Sequence, residues 1–76
     1  SFICATNFTN NGITVHVEPS VTLSVDGHLN NASGTIILDG KIEVGGNFTN
    51  NDNFIVNENS TLKLIGDDQS FYATNY

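Results

Sequence analysis

The chain has no arginine, no tryptophan and no methionine, and only one proline and one cysteine; each scarcity removes a class of explanation. Lys41 and Lys63 are the only cations beside the histidines, and eight acidic residues bring the net charge to −6. A chain charged in this way repels phosphate backbones and anionic lipid, so no nucleic-acid partner is expected. Cys4 alone cannot close an intrachain disulfide, and no Cys/His grouping has the spacing of a zinc site. No apolar run approaches the ~20 residues of a membrane span, so no membrane insertion is expected. The opening Ser1-Phe2-Ile3-Cys4 lacks a basic region followed by an apolar core, so any secretion signal is expected to have been removed. Strong helix formers are few. The apolar residues are mostly Val, Ile, Leu and Phe and the polar ones mostly Asn, Thr, Ser, Asp and Gly, a strand-and-turn vocabulary that predicts almost no helix. Seventy-six residues make one domain at most. A domain of this size buries only ~60% of its unfolded surface, so without a disulfide or a metal, self-association is the remaining route to stability.

What is present is repetition. Asn7-Phe8-Thr9-Asn10-Asn11 returns letter for letter as Asn47-Phe48-Thr49-Asn50-Asn51, with a looser copy between them at His28-Leu29-Asn30-Asn31. Phe8, Leu29 and Phe48 therefore head units of about 20 residues, the length of one coil of a β-solenoid, in which each unit buries its apolar face only by stacking on the next. In the first unit the apolar positions alternate as Ile13, Val15 and Val17, then Val21, Leu23 and Val25, with Glu18-Pro19-Ser20 between the runs and Asp26-Gly27 after them. The second unit repeats the plan with Ile36 and Leu38, a turn at Asp39-Gly40, then Ile42 and Val44 before Gly45-Gly46. The third has Phe54 and Val56, a turn across residues 57–60, then Leu62 and Leu64 before Gly66-Asp67-Asp68. The expectation is an all-β fold: a β-solenoid (β-helix) of three to four coils of roughly 20 residues, with three short strands per coil. Residues 1–76 form a single repeat domain, read as one unit of a longer array or polymer.

Strand side chains alternate between faces, so Thr14, His16, Ser24, Glu43 and Lys63 are expected outside. The expected stacking core comprises Phe8, Leu29, Phe48, Val15, Leu23, Leu38, Val44, Val56 and Leu64. Cys4 aligns with Val44 and is expected inward as a small apolar residue. The Asn pairs 10/11, 30/31 and 50/51 would share one corner on successive coils, where side-chain amides can hydrogen-bond from coil to coil as a ladder. Ile37 and Ile55 must point outward if their neighbours point inward, giving an apolar strip for lateral contact between fibres. A second echo overlies the first: Ser1-Phe2-Ile3-Cys4-Ala5-Thr6-Asn7-Phe8 returns, with one deletion, as Ser70-Phe71-Tyr72-Ala73-Thr74-Asn75-Tyr76. It is read as a tandem period of nearly 70 residues or as head-to-tail stacking of identical subunits.

The phrase Gly46-Asn47-Phe48-Thr49-Asn50-Asn51, with Asn53-Phe54, Ser60-Thr61-Leu62-Lys63-Leu64-Ile65-Gly66 and Gln69-Ser70-Phe71, resembles the repeats of large secreted or surface-anchored β-solenoid adhesins and fibre proteins of Bacteroidetes-like bacteria. It departs from them at Phe48, where tryptophan is common, and at Asp52, where glycine is usual. The resemblance implies a cell-surface or matrix protein of structural or adhesive type, with no catalytic residues to carry over.

Four Asn-x-Ser/Thr sequons, at Asn7, Asn31, Asn47 and Asn59, are candidate glycosylation sites. Asn7 and Asn47 flank inward aromatics and are expected outside on one side, two coils apart. The turn aspartates do not form a calcium-binding array, because Gly45-Gly46-Asn47-Phe48 breaks the required Gly-Gly-x-Gly pattern. No metal or cofactor is expected. Polysaccharide-cleaving β-helices need several acids converging on a groove, often with arginine or lysine beside them, and here Asp67-Asp68 is the only acidic pair. The sequence thus points to a non-enzymatic subunit of an extracellular filament or surface stalk, built by end-to-end stacking with copies of itself as partner. The alternative is a carbohydrate- or surface-binding module of a larger adhesin.

Overall fold

The computed structural model describes residues 2–75. Eight strands follow one another: β1 (Phe2–Cys4), β2 (Phe8–Val17), β3 (Thr22–Val25), β4 (Leu29–Leu38), β5 (Lys41–Val44), β6 (Phe48–Val56), β7 (Thr61–Leu64) and β8 (Phe71–Asn75). They form two four-stranded sheets, β1-β3-β5-β7 and β2-β4-β6-β8. Every pairing is parallel. Alternation of short and long strands between two parallel sheets makes the chain a β-solenoid of about four turns, as the periodicity predicts. Equivalent residues lie 21, 19 and 23 positions apart along the chain.

The predicted strands are found, but the first two of each coil run together. Register shifts fall between Asn10 and Ile13, between Asn31 and Thr35, and between Asn50 and Asn53, so each long strand has two arms meeting at a corner. Glycine supplies that corner in the first two coils: Gly12 and Gly34 have φ of 94° and 100°, a region open to glycine at little cost. In the third coil Asp52 stands at the corner instead, and its Oδ2 accepts from the Gly34 N–H at 2.7 Å.

Parallel register sorts the interior into rows running along the solenoid axis: Phe2/Leu23/Ile42/Leu62, Cys4/Val25/Val44/Leu64, Phe8/Leu29/Phe48/Phe71, Val15/Ile36/Phe54 and Val17/Leu38/Val56. Val25, Leu29, Ile36, Leu38, Ile42, Val44, Phe48 and Phe54, all in the inner coils, are essentially solvent-free, and Cys4, Phe8, Val15, Leu23 and Leu62 pack against them half-buried. Phe48 is stacked on Phe71 with centroids 5.1 Å apart and tilted against Phe54 at 5.0 Å. Such contacts add to the ~1.5–3 kcal/mol that burial of each large apolar side chain contributes.

Two residues of the expected core, Val56 and Leu64, and Ile13 of the alternating apolar set are instead exposed, for positional reasons. Val56 is 48% and Leu64 37% exposed. β8 pairs with β6 only as far as Asn53, and no described strand lies beyond β7, so neither side chain has a coil above it. Ile13 is 64% exposed because its register partner is Gly34, which offers no side chain to pack on. The second echo does not correspond to structural equivalence. Phe2 lies in the row of Leu23 in one sheet and Phe71 in the row of Phe48 in the other. Ser1 and Tyr76, the outer members of that echo, lie outside the described residues.

Candidate functional site

The asparagine ladder is present, shifted and buried. The repeat aligns Asn10, Asn31 and Asn50, while Asn30 falls level with Thr9 and Thr49, so the expected pairing of 30/31 with 10/11 is off by one residue. All three ladder residues are buried, at 2%, 0% and 0% exposure, so they lie inside the corner and not on its surface. Asn10 Nδ2 donates to Asn31 Oδ1 at 2.9 Å, and Asn31 Nδ2 to Asn50 Oδ1 at 2.7 Å. The same amides close the corners: each within its own coil, Asn10 Nδ2 donates to the Ile13 carbonyl at 2.9 Å, Asn31 Nδ2 to that of Gly34 at 3.3 Å and Asn50 Nδ2 to that of Asp52 at 2.8 Å, and Asn31 Nδ2 also reaches the Asn53 carbonyl of the next coil at 3.0 Å. Corner carbonyls turned away from the β-ladder would otherwise be buried without partners, a state that costs roughly 1–3 kcal/mol each. The ladder is thus the device that lets a parallel sheet turn a corner, and Ala73, level with Asn50, ends it.

A second ladder sits just before the aromatic row. Asn7 Oδ1 accepts the backbone N–H of His28, His28 Nδ1 accepts that of Asn47, and Asn47 Oδ1 accepts that of Ser70, at 2.8, 2.8 and 2.9 Å. Histidine thus takes over an asparagine's role in the middle coil, a substitution visible in the repeat alignment although its purpose is not. Of the four sequons, Asn7 and Asn59 are exposed, Asn47 is half-buried, and Asn31 is sealed within the inner ladder with its Nδ2 fully engaged. Asn31 is therefore withdrawn as a glycan acceptor, since attachment requires that same nitrogen to face solvent. Asn7 and Asn47 lie at one corner two coils apart, as expected.

On the outer face His16, Ile37 and Ile55 are level across β2, β4 and β6, with Ile37 half-buried and Ile55 45% exposed. The expected apolar strip therefore exists as a juxtaposition. Beside it, Asp39 bridges coils: its Oδ2 pairs with His16 Nε2, and its Oδ1 accepts from Asn57 Nδ2 at 2.6 Å. The hydrogen bond from His16, followed by that from Asn57, holds the Asp39 carboxyl below its ordinary value. A carboxylate lowered on folding stabilises the fold above its unfolded titration range, and the gain is lost as pH falls through the folded value. In acid titrations of stability, Asp39→Asn should flatten the low-pH decline while slightly lowering stability at neutral pH. An unchanged acid limb would show that Asp39 does not contribute to it.

Turn length shapes the edge beside Asp39. The connections from long to short strands take four residues in the first coil (18–21), two in the second (39–40) and four in the third (57–60). The short middle turn leaves a cleft of about 470 Å³ between two projecting ones, with Asp39, Gly40 and Lys41 on its floor. Nothing in the apolar periodicity announces it, although the turn lengths could be counted in advance. Cys4 is half-buried, as expected, with Sγ near the Thr6 and Asn7 carbonyls. Among the described residues no three His, Cys, Asp or Glu side chains converge as a metal site would require, and no helix is long and apolar enough to cross a membrane.

Comparison with known proteins finds no family model, no curated protein and no solved structure that matches the chain.

Proposed function

We propose that this chain is a structural building block of an extracellular filament or surface stalk that lengthens by end-to-end stacking of coils, with further copies of itself as partner and without catalysis. The observation that carries this reading is that every pairing among the described strands is parallel and keeps the interior in continuous rows, so each coil presents to the next the same kind of edge and apolar interior that it receives from the one before. Among the described residues Phe2, at 66% exposure, and Leu64, at 37%, are the outermost members of two of these rows. An open, apolar strand edge templates a further strand, and addition that does not close on itself gives a fibre. Stacking would set Phe8 of one copy in the row of Phe71 of another, and Phe2 and Cys4 in the rows of Leu62 and Leu64. Charge favours this polarity over contact between two like acidic ends. Residues 1–17 contain no acid, whereas Glu58, Asp67 and Asp68 lie towards the opposite end. The cell-surface setting follows the resemblance to solenoid repeats of surface proteins, and glycans at Asn7 and Asn47 would coat one side.

Electron microscopy of the concentrated protein is the test. Filaments with an axial repeat of about four strand spacings, ~19 Å, are expected. Monodisperse monomers throughout would overturn the proposal and leave the surface-binding reading, which the corner cleft favours. If filaments bundle, lysine at both Ile37 and Ile55 should release single filaments, and unchanged bundles would remove the apolar strip as their contact.

A further inference from the structure

We propose that the corner cleft binds a neutral, hydroxyl-rich sugar unit of a glycan chain. This deepens the carbohydrate-binding reading and is independent of end-to-end stacking, because the cleft lies on the side of the solenoid and its floor and walls belong to the first three coils.

The geometry supplies three things a sugar ring requires. The first is space: the walls are turns two strand layers apart, so their backbones stand ~9.5 Å from each other, and the volume falls within the usual ~300–1,000 Å³ of small-ligand sites. The second is rigidity. Ser20 and Asn59, at the crests of the two projecting turns, hold φ of 70° and 66°, and Ser60 Oγ donates to the Asn57 carbonyl at 2.6 Å, closing the third-coil turn. The floor is tied to the first wall by backbone hydrogen bonds, the Lys41 N–H donating to the Val21 carbonyl at 2.9 Å and the Gly40 N–H to that of Val17 at 3.0 Å. The third is a mixed set of donors and acceptors. Thr22, Lys41 and Thr61 form one transverse row, and Asp39 and Glu58 add carboxylates. Asp39 is oriented in advance by His16 and Asn57, so its lone pairs need little reorganisation to accept sugar hydroxyls. Pro19 and Val21 add an apolar wall against which the C–H face of a ring can lie.

The same lining argues against the other classes. Phosphate, sulfate or uronate groups would meet two carboxylates, and the one ammonium in the cleft, that of Lys41, is already paired with Glu43 at 3.0 Å. A divalent cation would find only two acids there, and no three converge among the described residues. A flat aromatic ligand would find no aromatic side chain in the lining. What remains is an uncharged ligand that exchanges many hydroxyl hydrogen bonds at once.

The experiment is amide NMR titration of the whole chain with cellohexaose and with N-acetylchitohexaose, using a hexamer of galacturonic acid as the anionic comparison. Saturable shifts centred on Ser20, Gly40, Lys41 and Asn59 are expected with at least one neutral probe, with a dissociation constant of ~1 mM, as befits a shallow site. Glu58→Ala, in an exposed turn, should weaken binding about tenfold through one lost charge-assisted hydrogen bond. Thr61→Tyr, which fills the cleft from a strand position that tolerates aromatics, should abolish it while the dispersion of the spectrum is kept. Shifts confined to the outer row of Thr9 and Thr49 would overturn the cleft and spare the carbohydrate-binding reading. The absence of shifts with both neutral probes would overturn both, and tighter binding of the anionic hexamer would overturn the ligand class.

Discussion

Asn31→Asp is expected to leave the chain largely unfolded at neutral pH, the largest effect of any single polar substitution in the molecule. The amide nitrogen of Asn31 donates to Asn50 Oδ1 and to two corner carbonyls. Aspartate would turn an oxygen towards these acceptors at a position with 0% exposure. An uncompensated buried charge, or the proton taken up to avoid it, costs several kcal/mol against a total stability of ~5 kcal/mol for a domain of this size. Asn31→Ala removes the repulsion but leaves Asn10 Nδ2 short of a partner and Asn50 Oδ1 without its donor, so a loss of about 3–5 kcal/mol is expected. Asn30 is the internal comparison. It lies one residue away, and its Oδ1 is buried without a hydrogen-bond partner among the described residues. Asn30→Thr, which copies Thr9 and Thr49 in the adjoining coils, should be neutral or stabilising. Urea midpoints of the three variants decide the matter. Equal losses at positions 30 and 31 would mean that the ladder contributes no more than any asparagine at a turn.

The second large effect is expected from glycine at the corner of the long strands. Gly12 and Gly34 are equivalent in backbone, both with positive φ, but not in surroundings. A methyl on Gly34 would meet the Ile13 carbonyl oxygen and the Asn10 amide, whereas on Gly12 the nearest atom is Ser33 Oγ at 3.9 Å. Gly12→Ala should therefore cost only about 1 kcal/mol, the price of an unfavourable backbone region. Gly34→Ala should cost about 3 kcal/mol or more, because the coils must part to admit the methyl and the ladder bond from Asn10 lies in the way. Both values come from the same denaturation series. Similar losses at the two glycines would show that backbone strain alone, and not the approach of neighbouring coils, dictates the residue.

These corners also mark the limit of what repetition reveals. The recurrence of Asn-Phe-Thr-Asn-Asn gives the coil length, and with it the stacking of Phe8, Leu29 and Phe48, because identical residues at a fixed interval can share an environment only if the chain comes round each time to the same place. The alternation of Val, Ile and Leu gives the strands and most of the inward set, since a strand buries every second residue. It fails at Ile13, Val56 and Leu64, which keep the pattern but lack a packing partner in the next layer. Alternation reports which face a side chain takes, and burial further requires a neighbour along the axis. The similarity of Ser1-Phe2 to Ser70-Phe71 misleads for a related reason: a short Ser/Phe/Ala/Thr string suits either sheet, and only strand pairing assigns Phe2 to one and Phe71 to the other.

Composition and period by themselves determined that this protein is an all-β solenoid of short coils with asparagine at its corners, because only stacking gives so short a repeat an interior. The tertiary structure alone decided which asparagine of each adjacent pair builds the inner ladder. Asn10, Asn31 and Asn50 face inward while Asn11, Asn30 and Asn51 do not. It also decided that one sequon is sealed and that a short middle turn opens a cleft beside Asp39. Each of these depends on which residues become level across coils of 21, 19 and 23 residues, and a single insertion or deletion in a turn changes that alignment without changing the pattern that announces the fold.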